Sequence, residues 1–578
     1  MKVVTTLFAA SLATLFMLSG ATAQAPAKPQ PAADVTIVSS RANQLEFEKR
    51  KIDFRKGVTY WAKLCEEAGL TYRIAGDYEL ETGLQPSKLY ILHRTERLTD
   101  VQLVNIRVQQ KRGASLILVG QIGRFKPDGS TQKSLSEQWL ELEEIVEYLP
   151  TEAAYFVASA GSLLSLGNPP GFRFEFDWEG AYSLARTKWA AATSVDWSLF
   201  PTPNPSQPAN NTVIAVRTQG QSRMAWFGVN PDDFLKKGDQ KKFTLSTMLN
   251  LLNWLVRRPV AEACHWPGCN LGAAVVTGDI EDKFENADAI ALACHKEKIK
   301  GSFFLVGTLA KDYPEVVAAL NANGEIGTHS MKHLSFKDVP FEEQLGELNE
   351  GKQVLVDLGV NRVTGFRPPM EDYDDNTLKA VASAGLEFIY GNLVYDRAYP
   401  MVAKVQGTPI YQFARIVADD YNLVVEKNVT NMTEYKREYL KEFERIFTMG
   451  GLFPFSFHTN YLALQDSVDV VRSVIRHLKK REHVLLTTFG TLVDWMEAKR
   501  QVRVEVRLDE RTSRMLVKNL GTKPVRAFPI HFFPPGDGKR VKLVATPARG
   551  AAVRKAPVAG FVLAVDLEAG EEKELLLQ

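Results

Sequence analysis

The most constraining stretch of the chain runs from Ala273 to Asp282, where the apolar residues Ala273, Ala274, Val275 and Val276 give way to Asp279, Glu281 and Asp282. An apolar run that stops in carboxylates is how a buried parallel strand delivers acidic side chains to the rim of an α/β barrel. Some fifty residues on, His329 and His333 stand four apart. On a helix or helical turn that spacing projects both imidazoles from one face, where they can grip a single metal ion. Two imidazoles and a carboxylate leave a coordination position open for water, as catalytic sites require. Two further segments end strand-like runs: Gly365-Phe366-Arg367-Pro368-Pro369, and Phe453 to Thr459, which carries His458.

These four segments, in this order, resemble the polysaccharide deacetylases of carbohydrate esterase family four, over roughly Cys264 to Arg500. The resemblance implies a central incomplete (β/α)7 barrel and hydrolysis of acetamide groups with a divalent metal. It implies that Asp279 is the general base, that His329, His333 and an acidic residue bind the metal, that Arg367 orients the base, and that His458 is the acid. The common family pattern places two aspartates side by side, whereas Ile280 occupies the second place here. The metal carboxylate is then Glu281 or Asp282. Glu281 is favoured because strand residues two apart share a face. The family often has an aspartate tuning the late histidine, and Asp396 is the candidate. Nitrogen and carboxylate donors suit Zn2+ first, with Co2+ and Ni2+ also acceptable.

The remainder of the chain reads as an α/β multidomain protein. Residues 1–25 carry Lys2, an apolar core around Leu7–Leu18 and a small-residue box, the pattern of a signal peptide and of a secreted or periplasmic product. That core is short for a membrane span, and no later run approaches one, so no transmembrane segment is expected in the mature chain. A Pro/Ala-rich linker is read over 26–40. Residues 41–260 alternate between helix and strand signals: Phe54–Ala68, Lys88–His93, Thr99–Gln110, Ala114–Val119, Thr212–Val216, Ser222–Gly228 and Leu245–Val256, with a Pro/Asn-rich loop at Pro201–Asn211. The alternation predicts an N-terminal doubly wound α/β domain. It is weakly similar to the class I glutamine-amidotransferase-like fold. That family's G-x-C-x-G nucleophile elbow has no counterpart, since Gly120-Gln121-Ile122-Gly123 follows the strand, and no amidotransferase chemistry is assigned.

Residues 261–500 form the barrel segment, with strand signals at Gly272–Thr277, Gly301–Val306, Glu325–Thr328, Val363–Phe366, Glu387–Tyr390, Leu452–Phe457 and His483–Thr488. The motifs fall at strand C-terminal ends, where such barrels carry their sites. Over 501–578 the pattern alternates strictly, as in Val502–Leu508, and predicts a small C-terminal β-sandwich.

Four cysteines are too few for a disulfide scaffold in a chain of 578 residues. Cys264 and Cys269 bracket a tight turn that could close as a disulfide or, with His265, form a second metal site; Cys65 and Cys294 read as core residues. A net charge of +2 with no basic stripe gives no case for nucleic acid. The expected partner is a polysaccharide containing N-acetylhexosamine, and the oligomeric state stays open. The expected activity is that of a hydrolase acting on carbon–nitrogen bonds other than peptide bonds. The alternatives are an inactive glycan-binding protein, or the same chemistry on O-acetyl esters or cyclic amides.

Overall fold

The computed structural model describes residues 33–149, 154–176, 182–195, 211–234, 238–391, 398–462, 468–509, 512–536, 540–545 and 551–578. The signal-peptide reading, Asp396 and all but Asn211 of the Pro201–Asn211 loop lie outside them. The fold is mixed α/β and multidomain, built on several sheets. Among the described residues, no helix is long and apolar enough to cross a membrane.

The N-terminal sheet begins earlier than the linker reading allowed. Val35–Val38 is a fully buried strand lying between Tyr72–Ala75 and Leu89–His93, parallel to both. Ser115–Val119 and Ser222–Phe227 continue the parallel order. Side chains of Leu89–His93 and Ser115–Val119 fall alternately into two apolar clusters: Leu89, Ile91, Ile117 and Val119 into one, Tyr90, Leu92, Leu116 and Leu118 into the other. Both faces are thus covered, which is why these strands read as continuous apolar runs. Thr99 caps the helix Asp100–Lys111 by accepting from the Gln102 amide, and Gln102 returns the bond in a capping box.

The doubly wound expectation describes only half of this sheet. Beyond Ser222–Phe227, the strands Thr212–Gln219, Ala190–Val195, Ala154–Ala158 and Phe174–Phe176 extend it antiparallel. Among the described residues no α-helix separates these strands, so the helix–strand alternation gave no sign of most of them.

The central sheet carries the motifs. Its strands are β1 (Gly272–Ile280), β2 (Gly301–Leu305), β3 (Gly324–Thr328), β4 (Gly365–Phe366), β5 (Phe388–Gly391), β6 (Met401–Val405), β7 (Thr408–Ala414), β8 (Leu452–His458) and β9 (Val484–Thr487). The order is β6-β7-β5-β4-β3-β2-β1-β8, with β9 also on β1, and every pairing except β6–β7 is parallel. The hairpin β6–β7 was not read from the sequence; β7 adds a parallel strand beside β5. Along β1, Ala274, Val276 and Ile280 pack with the surrounding helices, while Ala273 and Val275 face a cluster with Phe304, Phe388, Tyr390, Phe413 and Phe489. Asp279 keeps the parity of Ala273 and Val275, and so points to that inner side.

Two four-stranded antiparallel sheets complete the chain: Val502–Asp509, Thr512–Asn519, Glu572–Leu577 and Leu543–Ala545 in one, Val260–Ala263, Val525–Phe533, Phe561–Leu567 and Ala551–Lys555 in the other. Val260–Ala263 precedes the central sheet in sequence yet pairs with Val525–Phe533 at the far end of the chain. Met515, Val517, Phe528, Ile530, Leu563 and Leu575 share one cluster with the inner aromatic residues of the central sheet.

Candidate active site

Five loops at the C-terminal ends of β1, β3, β4, β7 and β8 bring the charged residues together. Asp279 is 2% exposed and pairs in register with His458 across β1 and β8. The Arg367 Nε donates to both Asp279 carboxylate oxygens, at 3.1 and 2.9 Å. Nη2 of the same guanidinium donates to Glu371 Oε1 at 2.6 Å. The guanidinium also stacks 4.2 Å above the Tyr390 ring. Burial alone would lower the Arg367 pKa, but Asp279 and Glu371 raise it well above its ordinary value. Burial likewise opposes ionisation of Glu371, yet Arg367 and Arg415 hold its carboxyl at about 2.

His329 and His333 are not on a helix. They belong to the loop after β3, in which Ser330 and His333 take left-handed backbone angles (φ 68° and 58°). The loop is tied by Glu347 Oε2, which accepts from the amides of Met331 (3.1 Å) and Lys332 (2.9 Å), and by Ser330 Oγ, which accepts from the His333 amide at 3.0 Å. Gly351 lets the helix Phe341–Asp357 approach: a Cβ there would stand 2.7 Å from Thr328 Oγ1 and 3.0 Å from the Ser330 carbonyl carbon. The loop thereby sets the two rings 4.8 Å apart, doing by turn geometry what a helix does by periodicity.

Glu281 reaches this pair. Its Oε2 lies 2.7 Å from His333 Nε2 and 3.5 Å from His329 Nε2. The three residues each present a donor atom within 4.8 Å of the others. His329 Nδ1 lies 2.7 Å from the Arg367 carbonyl oxygen, to which it donates, and this turns Nε2 toward Glu281. Burial pushes the Glu281 carboxyl up, but the hydrogen bonds to His329 and His333 outweigh it and hold it well below the usual range. The same hydrogen bond to Glu281 raises His333. Two imidazole nitrogens and one carboxylate, with one imidazole already oriented by a backbone carbonyl, form a donor set that fits a divalent cation of the zinc type.

Asp282 does not join them. Its side chain is exposed, and Thr459 Oγ1 clamps the backbone by accepting from the Glu281 amide (3.2 Å) and donating to the Asp282 carbonyl (2.8 Å). Ile280 is buried among the outer helices. Its insertion moves the second acidic residue to position 281 and leaves that residue on the Asp279 side of the strand.

His458 Nε2 lies 3.5 Å from Asp279 Oδ2, and Nδ1 lies 2.7 Å from Asp420 Oδ1. Asp420 is fully buried; its Oδ2 accepts from the His458 amide at 2.7 Å and from the Leu462 amide at 3.3 Å. The structure thus seats Asp420 on the Nδ1 side of this ring, the place for which Asp396 was the candidate. Burial opposes the charged imidazole, but Asp420 and then Asp279 raise its pKa to about 10. The signal for Asp420 was in the sequence: β7 ends and Arg415-Ile416-Val417-Ala418-Asp419-Asp420 follows, another strand running into acids.

Asp279, His458, Arg367 and the triad Glu281, His329 and His333 therefore meet on one rim. The profile of the polysaccharide deacetylase family matches residues 277–389. This part of the chain resembles that family. The deacetylase match takes in Asp279, Glu281, both histidines and Arg367, and stops before Asp420 and His458. Similar solved structures include a probable polysaccharide deacetylase from Pseudomonas aeruginosa PAO1, with 14% identity, 41% of this chain and 94% of that chain covered, and a TM-score of 0.37. Puue allantoinase gives 15%, 41%, 93% and 0.37 for the same quantities. Agd3, described as a novel carbohydrate deacetylase, gives 10%, 95%, 99% and 0.44. No curated protein matches the chain.

The other cysteine-based site is ruled out by bonding. Cys264 and Cys269 form a disulfide, and His265 is turned away, with Nε2 2.7 Å from the Ser165 carbonyl and Nδ1 3.4 Å from Lys499 Nζ. Cys65 and Cys294 are buried free thiols.

Proposed function

We propose that the protein removes N-acetyl groups from an extracytoplasmic polysaccharide containing N-acetylhexosamine, by metal-dependent hydrolysis of the acetamide bond. The observation that carries this reading is the meeting of Glu281, His329 and His333 with a buried Asp279–Arg367 pair and His458 on one rim. The deacetylase family match supports it independently.

Glu281, His329 and His333 would hold the cation, which when bound polarises a carbonyl and makes water more acidic. Asp279 accepts the proton of the attacking water. Arg367, through Nε, restricts that carboxylate to one orientation. His458 is charged at neutral pH because Asp420 and Asp279 flank it, so its Nε2 can give a proton to the departing amine nitrogen. Asp420 holds the ring through Nδ1, which keeps Nε2 turned toward Asp279. The carbon–nitrogen bond breaks, the water oxygen stays on the acetyl carbon, and acetate and a free amine leave.

The test is acetate release from a panel of N-acetylated and O-acetylated glycans and cyclic amides, before and after chelation. Release from an N-acetylhexosamine polymer that chelation abolishes and a divalent metal restores is expected. Release only from esters or ring amides moves the substrate class, and metal-independent release overturns the mechanism.

A further inference from the structure

Glu371 and Arg415 have no task in the chemistry above, yet they are among the most tightly bonded charges in the site. Glu371 Oε1 accepts from Arg367 Nη2 at 2.6 Å and also from Arg415 Nε, while Oε2 accepts from Arg415 Nη2 at 2.8 Å. Arg415 Nη1 donates to Asn422 Oδ1 (2.6 Å) and to the Val417 carbonyl (3.1 Å), and lies 3.5 Å from Asp419 Oδ2. Asp419 Oδ1 accepts from the Asn422 amide at 3.0 Å, which fixes the loop whose next residue is Asp420. Asp420 grips His458, and His458 faces Asp279, which is held by Arg367. The chain of contacts closes on itself.

We propose that Glu371 is a positioning residue, a clamp that holds Arg367 and Arg415 together and so locks the groups carrying the proton acceptor, Asp279, and the proton donor, His458, into one closed circuit. This rests on the deacetylase reading of the site.

The backbone supplies a second, independent argument. Met370 and Glu371 both take left-handed angles (φ 58° and 61°), a conformation that is costly for a residue with a Cβ. Met370 is 69% exposed, so burial of its side chain does not offset that cost. What the turn secures is the carboxylate of Glu371 between two guanidinium groups that are themselves 1% and 7% exposed. Without that carboxylate, two buried like charges face each other, with Asp279 left to Arg367 and Asp419 to Arg415. Arg367 then has no partner on Nη2 and is free to rotate off Asp279.

The experiment compares Glu371→Gln, Arg415→Lys and the double variant Glu371→Gln/Arg415→Gln with the parent, measuring kcat, KM, metal content and thermal unfolding, with a crystal structure of Glu371→Gln. A misplaced reacting group costs about 10²-fold. Glu371→Gln is expected to lower kcat by about that factor with KM and metal content unchanged, and its structure to show Arg367 turned from Asp279. The double variant, which removes one charge of each sign, is expected to recover part of the loss. If Glu371→Gln does not fold, Arg415→Lys, which keeps the charge and loses the fork, is expected to lower kcat at constant KM. Retention of parental kcat, or a loss explained wholly by metal content, overturns the clamp. If the parent releases no acetate from any glycan, the deacetylase reading fails separately, and an Arg367 unmoved in the variant crystal overturns the clamp itself.

Discussion

Asp279 and His458 are register partners on adjacent parallel strands, with Oδ2 and Nε2 3.5 Å apart. The proposed proton acceptor and proton donor are thus placed side by side by strand pairing, each with its own buried anchor: Arg367 for the aspartate, Asp420 for the histidine. Converting Asp279 to Asn should remove the acceptor while leaving Glu281, His329 and His333 in place. The expected result is a rate lowered by about 10² to 10⁴ with metal content retained, the usual contribution of general base catalysis. Acetate release and elemental analysis of the same preparation check it, and a difference below about tenfold is incompatible with the assigned role.

Glu281 and Asp282 are neighbours in sequence with opposite fates, one turned to the two imidazoles and one exposed. Glu281→Ala should abolish stoichiometric binding of a divalent metal, and Asp282→Ala should leave it within error of the parent. Measured by elemental analysis after dialysis, the reverse pattern moves the ligand to Asp282.

Asp420 should govern the pH dependence. The pKa of His458 rises from its ordinary 6.5 to about 10, chiefly through Asp420 once burial is overcome. Because the folded value exceeds the unfolded one, the pair stabilises the fold fully below pH 6.5, and that contribution is lost as pH rises through about 10. Asp420→Asn should therefore move the basic limb of kcat/KM to lower pH. The stability deficit of the variant in urea should be largest near pH 6 and shrink above pH 10. A basic limb that stays in place assigns it to another group.

The Cys264–Cys269 bridge closes a loop with a sequence separation of only 5. Its stabilisation should lie below the ~3 kcal/mol expected for a fifteen-residue loop. The Cys264→Ser/Cys269→Ser variant should unfold at modestly lower urea concentration with unchanged metal content, since neither sulfur touches the site. Loss of bound metal in that variant contradicts this separation.

How much was legible in the sequence follows from how each feature is encoded. β1 and its carboxylates were readable because a buried strand alternates with period two: Ile280 goes to the helices, and Asp279 and Glu281 go inward. The pair His329 and His333 was readable as a pair, but not as a loop, since spacing alone does not distinguish a helical turn from a left-handed bend pinned by Glu347 and Ser330.

The amino-acid order by itself determined the buried strands that carry the motifs and which residue types can do the chemistry, because both depend on local patterns of apolar and charged side chains. Only the tertiary structure decided the partners. Asp420 reaches His458 across 38 residues, Arg415 reaches Glu371 across 44, and Val260–Ala263 joins a sheet built from the far end of the chain. Each of these contacts is made by a residue type common in any loop or strand. Its role comes from what is packed against it once water is excluded, and no local pattern carries that information.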